Sequence, residues 1–212
     1  MDSKLIPSAL IGANPRSGTP PQRSGAQPAS AMRGISLIEV LVALLILMVG
    51  LLGLAGLQTR VTQAEFEAYQ RAQALILLRG MVDRVQSNRP AARCYAITGS
   101  GGAPWFGTGG DVSACSGWGT TETRSRAYTD MLEWSGVLEG ITESSAGQQV
   151  GAMLGARGCV TYVAATDTYT VAVSWQGNVP TAAPAVSCAN GQYGDEAMRR
   201  TLAMSFQFAT LE

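Results

Sequence analysis

The stretch that decides the fold is Arg33-Gly34-Ile35-Ser36-Leu37-Ile38-Glu39-Val40-Leu41-Val42-Ala43-Leu44-Leu45, which opens a long apolar run with one acidic side chain near its start. The run extends from Ile35 to Leu57 and, as an α-helix, would measure about 35 Å against a hydrocarbon thickness of about 30 Å. A carboxylate inside such a run costs about 2.5–3.5 kcal/mol, so a functional role for Glu39 is the first hypothesis. The alternative is a plain membrane anchor whose acid lies at the headgroup edge.

This stretch resembles the class III signal of type IV pilins and of the pseudopilins of type II secretion. In that family a prepilin peptidase cuts after the glycine, on the cytoplasmic side of the membrane, and the new N-terminal residue is N-methylated. The resemblance implies a cut between Gly34 and Ile35 and methylation of Ile35, although this residue is usually phenylalanine or methionine. The extension from Leu44 to Gln58 is similar to the minor pilins of the PilV group, the type IV pilus modification proteins.

The resemblance also implies a docking role for Glu39, the fifth residue after the cut. Cleavage creates a free amine at Ile35, about one helical turn before Glu39. In a filament of packed helices, the amine of one subunit would meet the carboxylate of its neighbour. Both charges would then be neutralised in a dry environment, where an unpaired charge is strongly penalised.

The resemblance and the composition divide the chain into four parts. Residues 1–34 are a cytoplasmic leader that the peptidase removes, 35–57 the membrane and filament-core helix, 58–88 the amphipathic half of that helix, and 89–212 a periplasmic globular domain. The leader is rich in Pro, Ser, Gly and Ala and has no fold signal. A start at Met32 would give a three-residue leader instead.

Charge near the apolar run predicts the orientation of the chain. Basic residues at its N-terminal flank favour a cytoplasmic N-terminus, so we expect the C-terminal part to face the periplasm. The resemblance implies that the subunit later lies in the pilus at the cell surface. The 212 residues have zero formal net charge. Removal of the leader takes away four of the 15 basic and one of the 15 acidic side chains, which leaves 11 and 14 and a net charge of −3. This balance does not indicate nucleic acid as a main partner.

Three glycines, Gly50, Gly53 and Gly56, interrupt the apolar run at intervals of three. Glycine weakens a helix interior by about 1 kcal/mol relative to alanine. One explanation is close helix packing in lipid, where small residues let backbones approach. The other is a flexible segment that unwinds when the subunit leaves the membrane for the filament. Both explanations follow from the missing side chains, and the sequence leaves both open.

The helix continues beyond the membrane segment as an amphipathic helix. Apolar residues recur at spacings of three, four or seven, at Leu57, Val61, Ala64, Ala68, Leu75, Leu78, Val82 and Val85. Glu67 and Arg71 are spaced for an i,i+4 ion pair. Asn88-Arg89-Pro90 ends the pattern because proline disfavours a helical residue before it. We therefore expect one helix from about Ser36 to Ser87, with an apolar face in its second half.

Apolar and polar residues alternate after residue 157 and predict strands that could cover the apolar face of the helix. Residues 158–163 and 168–175 flank a short turn and predict a β-hairpin, and 201–208 predict a third strand. Three antiparallel strands laid over the helix would bury both apolar surfaces. The predicted fold class is α+β and pilin-like, one long N-terminal helix packed against a small antiparallel sheet.

The segment between helix and sheet is harder to assign. Residues 99–126 are rich in Gly, Ser and Thr and predict a loop. Asp130 and Glu133 have the spacing of a capping box and predict a short helix that starts there. Aromatic residues in the loop region are either exposed anchors for binding or part of the core; they are Trp105, Phe106 and Trp118.

The four cysteines predict disulfides rather than a metal site. Without histidine or a close CxxC pair, zinc is not indicated. An oxidising periplasm favours disulfides, and three pairings are possible in principle. We favour Cys94–Cys115 and Cys159–Cys188, because each pair closes a local loop.

No catalytic, metal-binding or cofactor-binding motif is recognisable, so we do not expect an enzyme. The resemblance implies a minor pilin that initiates pilus assembly in a tip complex. Its implied partners are other minor pilins, the major pilin, the prepilin peptidase, the inner-membrane assembly platform and a large tip adhesin. The alternatives are a minor pseudopilin of type II secretion and an adhesive tip module.

Overall fold

The structure is a computed structural model that describes residues 34–141, 144–145, 148–149 and 153–209. The predicted leader up to residue 33, with the alternative start at Met32, lies outside the described residues. Contacts within the chain divide it into two units, Met1–Met48 and Val49–Glu212.

Two helices come first along the chain, and a third helix lies between the first strand and the other strands. The long helix α1 covers Leu37–Ser87, and a short 3₁₀ turn at Arg89–Ala91 leads into the short helix α2, Ala92–Tyr95. A third helix, α3, covers Thr121–Glu139. The strands are β1 (Phe106–Gly107), β2 (Ser144–Ser145), β3 (Gln148–Gln149), β4 (Arg157–Val163), β5 (Thr168–Gln176) and β6 (Arg199–Phe206).

Four of these strands form one antiparallel sheet in the order β1-β4-β5-β6, while β2 and β3 pair with each other. The predicted hairpin is confirmed as β4 and β5, with Tyr162 opposite Tyr169. The predicted third strand is β6, which begins at Arg199 rather than at residue 201. The fold class is therefore α+β, with one long N-terminal helix packed against a small antiparallel sheet, as predicted.

Only the last part of α1 is covered by the rest of the domain. Its first buried residue is Gln70, and Leu78, Met81 and Val85 follow in the main core. The predicted apolar stripe was therefore placed too far towards the N-terminus, since Leu57 is 60% and Val61 45% exposed. The domain buries only about five turns of the helix, so the large apolar side chains upstream are left exposed by the residues that the structure describes.

One ion pair predicted within α1 forms elsewhere. Glu67 Oε1 lies 3.2 Å from Arg200 Nη2 on β6. Glu67 therefore pairs across to the sheet rather than with Arg71 along the helix. A pair between neighbouring turns of one helix is worth only about 0.2–0.5 kcal/mol, so a partner on another element displaces it readily.

Helix α3 starts earlier than its sequence suggested. The predicted loop over 99–126 ends at Thr120, whose side chain caps the helix by accepting from the Thr123 backbone N–H. The Thr123 side chain returns a bond to the Thr120 backbone, so this is a capping box with threonine in the place usual for glutamate. The capping box predicted at Asp130 and Glu133 was wrong, because both residues lie inside α3.

Asp130 and Glu133 instead join α3 to α1 and α2. The Tyr95 hydroxyl donates to Asp130 Oδ2 at 2.5 Å and accepts from Asn88 Nδ2 at 3.1 Å. Arg84 Nη1 lies 3.1 Å from Glu133 Oε2 and 3.9 Å from Asp130 Oδ1. Burial, together with the hydrogen bond to Asp130, raises the pKa of Tyr95, so its hydroxyl stays protonated and keeps donating at neutral pH.

The sheet is buried on both faces, although its alternating sequence predicted burial on one. Tyr169, Val171 and Val173 point into the main core beside α1 and α3. On the opposite face, Ala172 and Cys159 belong to a second apolar cluster that also contains Cys188, Ala189 and Tyr193. Residues 177–195, which showed no periodic pattern, supply this second cover.

A buried arginine holds this cover in place. Arg199, only 2% exposed, donates to the backbone carbonyls of Val186 and Cys188. Its Nη2 forms an ion pair with Glu196 Oε2 at 2.6 Å. A charge buried in this way is tolerated because hydrogen bonds and an opposite charge replace its lost hydration.

Both disulfides join the pairs of cysteines that the loop argument favoured. Cys94 at the end of α2 is bonded to Cys115, with a Cα–Cα distance of 5.3 Å. Cys159 on β4 is bonded to Cys188 in the covering segment, with a Cα–Cα distance of 5.7 Å. Each bond closes a loop within the domain and reduces the freedom of the unfolded chain.

Removal of the second disulfide tests how the rear cover is held. We expect the double variant Cys159→Ala with Cys188→Ala to lose about 3–4 kcal/mol of the free energy of unfolding, because its loop spans 29 residues. Urea unfolding of the detergent-solubilised full chain measures the loss, with the parent protein treated identically. A loss below about 1 kcal/mol would show that Arg199 and the apolar contacts hold the cover unaided.

The ion pair at the rear cover makes stability depend on pH. The Gly191 backbone N–H, and after it Arg199, lower the pKa of Glu196 below its ordinary value of 4.5. This stabilisation is present above the unfolded-state pKa and is lost as pH falls through the lower folded-state pKa. We expect the urea midpoint to fall between about pH 5 and pH 3, and Glu196→Gln to reduce that fall. Glu65→Gln, on the exposed part of α1, is the control and should leave the pH profile unchanged.

Candidate functional site

The candidate site is the apolar surface of α1 from Ile35 to Leu57, together with Glu39. In the part of the chain that the structure describes, α1 is the helix long and apolar enough to cross a membrane, and its most apolar window has no buried residues. Every large apolar side chain between Ile35 and Leu57 is at least 47% exposed. Such an extended apolar surface fits lipid or another apolar helix, because water would penalise it.

The predicted cleavage point lies just outside the helix. Gly34, Ile35 and Ser36 are not helical, and α1 begins at Leu37. The Ser36 carbonyl accepts from the backbone N–H groups of Glu39 at 3.0 Å and Val40 at 3.3 Å, which closes the first turn. Gly34 and Ile35 are therefore exposed and lie before the first helical turn.

Glu39 lies in the first turn of α1 and is exposed. Among the described residues it forms no ion pair, since the four ion pairs found there involve other side chains. Carboxylates near a helix N-terminus gain some stabilisation from the helix dipole, typically about 0.3–1 kcal/mol. This gain is smaller than the cost of about 2.5–3.5 kcal/mol for an acid inside a membrane.

The three glycines of the apolar run are not required by contacts within the chain. α1 continues as a helix through Gly50, Gly53 and Gly56. A Cβ atom built on any of the three would meet no atom within 4 Å. Close packing at these positions is therefore not made by the residues that the structure describes, and the unwinding explanation is compatible with the same geometry.

The three aromatic residues considered as binding anchors have different surroundings. Phe106 is fully buried and packs edge-on against Trp134 with a centroid distance of 5.2 Å. Trp105 is half-buried against the second apolar cluster, and its Nε1 donates to the Thr108 carbonyl at 3.2 Å. Trp118 is 50% exposed, so it is the one of the three that can act as an anchor.

The sequence did not indicate that Arg93 lies beside Trp118. Its guanidinium lies 4.8 Å from the ring centroid of Trp118 and 3.7 Å from that of Tyr162. These residues are far apart in the chain and share no periodic pattern, so only tertiary structure brings them together. The Tyr162 hydroxyl donates to Asp167 Oδ1 at 2.6 Å, and this bond raises the pKa of Tyr162. Burial raises the pKa of the neighbouring Tyr169 to about 12.

Metal chemistry has no geometric support in residues 34–141, 144–145, 148–149 and 153–209. Within those ranges no three His, Cys, Asp or Glu side chains group in a way that could hold a metal ion. All four cysteines are in disulfides, which leaves none as a thiol nucleophile.

Comparison of the chain with protein-family models, with curated proteins and with solved structures finds no match.

Alanine in place of the glycines tests the local stability of the apolar helix. Because a Cβ meets open space, the triple variant Gly50→Ala, Gly53→Ala, Gly56→Ala should gain helix stability without a clash, about 1 kcal/mol per site. In detergent micelles we expect amide hydrogen exchange over residues 50–56 to slow at least about fivefold. Ala43→Gly in the same helix is the reverse control and should speed exchange locally. Unchanged exchange in both variants would contradict a flexible segment.

Proposed function

We propose that this chain is a minor pilin, a structural subunit of a type IV pilus. After a cut between Gly34 and Ile35, residues 35–57 would hold the subunit in the inner membrane. The same helix would then leave the bilayer and join the helical core of the filament. There the subunit would act with other minor pilins to initiate assembly, in a complex that remains at the pilus tip.

The observation that supports this proposal best is Glu39, an acid without an ion pair in the described chain, within the otherwise apolar and exposed residues 35–57. A plain anchor gains nothing from a carboxylate inside its apolar run and loses about 2.5–3.5 kcal/mol. A subunit of a helical filament can recover that loss, because a neighbouring chain offers the cationic amine of its own Ile35. The pairing would also define the axial register between subunits, since the two groups are about one helical turn apart.

The folded domain agrees with a periplasmic location. It contains two disulfides, which form and persist in oxidising compartments. A chain with this location and processing would require the prepilin peptidase and the inner-membrane assembly platform as transient partners. Other minor pilins, the major pilin and a large tip adhesin would be its lasting partners.

Two alternatives share part of this support. A minor pseudopilin of a type II secretion system would need the same cleavage site and the same acid. Neighbouring genes distinguish the two, because minor pilin genes favour the pilus and secretion-channel genes favour the pseudopilin. An adhesive tip module is favoured by one separate observation, the half-exposed ring of Trp118.

Replacement of Glu39 tests the proposal in cells. We expect Glu39→Ala to be cut and inserted in the membrane but at least about tenfold depleted from sheared pili, because the amine of the neighbour loses its partner. N-terminal sequencing should give N-methylated Ile35 for both parent and variant. Quantitative immunoblotting of membrane and pilus fractions measures the partition.

Glu65→Ala supplies the matched control, since Glu65 is an exposed acid on the same helix outside the apolar run. This variant should enter pili normally. Normal incorporation of Glu39→Ala, or a mature chain that begins at any residue other than Ile35, would reject the proposal.

A further inference from the structure

Strand β6 lies at one edge of the four-stranded sheet, beside β5. The pairing register shows which of its backbone groups point away from the sheet. On β4, the carbonyl and the N–H of Val160 bond to Thr98, on the side away from β5. Backbone groups alternate sides along an antiparallel strand, so Val171, opposite Val160, turns towards β6 and exchanges bonds with Met204. The odd-numbered residues of β6 therefore direct their backbone groups outward.

The outward-facing backbone groups of β6 are open for pairing. They belong to Thr201, Ala203 and Ser205, and no backbone–backbone hydrogen bond joins them to another described part of the chain. Ala203 and Ser205 are also exposed to solvent. Proteins usually protect such an edge with a charged residue, a proline or a bulge. None of these occurs from Thr201 to Phe206, and the pairing with β5 is continuous, so this edge is a template for one more strand.

An open cavity lies next to this edge, between α1 and the start of β6. Its volume is about 390 Å³, and small side chains on the helix make room for it. The half-buried side chains of Leu202, Met204 and Phe206 lie at the margin of the main core, on one face of the strand. An added strand would place alternate side chains beside these residues and one of them in the cavity. The apolar lining of the cavity consists of Ala64, Ala68, Trp175 and Leu202.

The cavity carries one positive charge without an opposite charge. Glu67 and Arg200 both line it and form an ion pair with each other at 3.2 Å. Arg71 lines it as well and forms no ion pair with any described residue. A guanidinium in this position suits a carboxylate, because ionised partners make the strongest hydrogen bonds. The added strand should therefore carry an acidic side chain at this end.

The direction of β6 argues against a second copy of this chain as the partner. Arg200 pairs with Glu67, and the ring of Phe208, just after β6, lies 4.8 Å from the Arg89 guanidinium. The strand therefore runs in the same direction as the end of α1. Antiparallel pairing of two β6 strands would put the apolar residues 49–57 of the two copies at opposite ends, where one membrane could not hold both. This step rests on the proposed membrane insertion of the chain.

We propose that β6 accepts a strand from another protein. The segment is extended, antiparallel to β6, apolar at alternate positions and acidic at the position that reaches Arg71. Main-chain hydrogen bonds to Thr201, Ala203 and Ser205 would supply affinity, and the cavity would supply specificity. Such a partner would hold the domain through its sheet, independently of any contacts of residues 35–57.

Binding of a synthetic strand to the detergent-solubilised full chain tests the proposal. The probe is the N-terminally labelled, C-terminally amidated hexapeptide Thr-Val-Thr-Val-Thr-Glu, in which the valines and the glutamate share one face. We expect saturable binding by fluorescence anisotropy with a Kd below about 1 mM. In antiparallel register the threonines lie opposite Thr201, Ala203 and Ser205. N-methylation of the peptide at its threonines should therefore weaken binding at least about tenfold, whereas N-methylation at its valines should change binding less than about twofold.

Hydrogen exchange, measured residue by residue, reports on the same edge. Without peptide, the outward amides of Thr201, Ala203 and Ser205 should exchange faster than the paired amides of Leu202 and Met204. Saturating peptide should slow the outward amides at least about fivefold and leave the paired amides unchanged. NMR of the chain in detergent micelles measures both sets.

Variants of the chain separate the edge from the cavity. Ala203→Pro removes one outward N–H group, and proline is tolerated on an edge strand where its N–H would face solvent, so the fold should persist, which urea unfolding checks. We expect this variant to bind the peptide at least about tenfold more weakly, whereas Ala203→Thr keeps the N–H and should bind as the parent does. Arg71→Gln should weaken binding about two- to fivefold, but only for the peptide that ends in glutamate rather than glutamine. Arg79→Gln is the control on the same helix and should have no effect.

Three outcomes would overturn the proposal. The first is an absence of saturable binding, or binding that N-methylation at the threonines leaves unchanged. The second is protection of the outward amides in the free chain at every concentration, which would show that the edge is already covered. The third is protection that rises with protein concentration in the absence of peptide, which would assign the edge to a second copy of the chain. The minor-pilin proposal is tested separately, at Glu39 and at the cleavage site.

Discussion

Glu39 places one carboxylate among the exposed apolar residues 35–57 of the chain, and any function assigned to this protein has to explain its energetic cost. Glu39 lies in the first turn of α1, and every large apolar side chain from Ile35 to Leu57 is at least 47% exposed. Lipid can cover the apolar side chains but not the acid. A function that supplies a cation at this position therefore explains the segment better than an anchor does, and this is the basis of the proposed assembly role.

The globular domain buries one side of the end of α1 with few residues. Burial of α1 by the rest of the domain begins at Gln70, and Leu78, Met81 and Val85 enter the main core. The rear of the sheet is closed by residues 177–195, held by the Cys159–Cys188 bond and by buried Arg199. A small domain with two apolar clusters gains much from such cross-links, because its core alone is limited.

Polar contacts between elements account for the corrections to the predicted fold. Asp130 and Glu133 looked like a capping box, but Tyr95 and Arg84 use them to tie α3 to the other helices. Glu67 likewise pairs with Arg200 on β6. Local spacing identifies which residues can interact along one element, whereas long-range partners depend on which elements meet.

The sequence alone determined the long apolar helix, the hairpin with its following strand, the α+β class and the unusual position of Glu39. Each depends on local periodicity or on composition, which can be read along the chain. Tertiary structure decided the start of the buried helix face, the second cover of the sheet, and the contact of Arg93 with Trp118 and Tyr162. These features join residues far apart in the chain, and their physical cause is packing between elements, which no local pattern records.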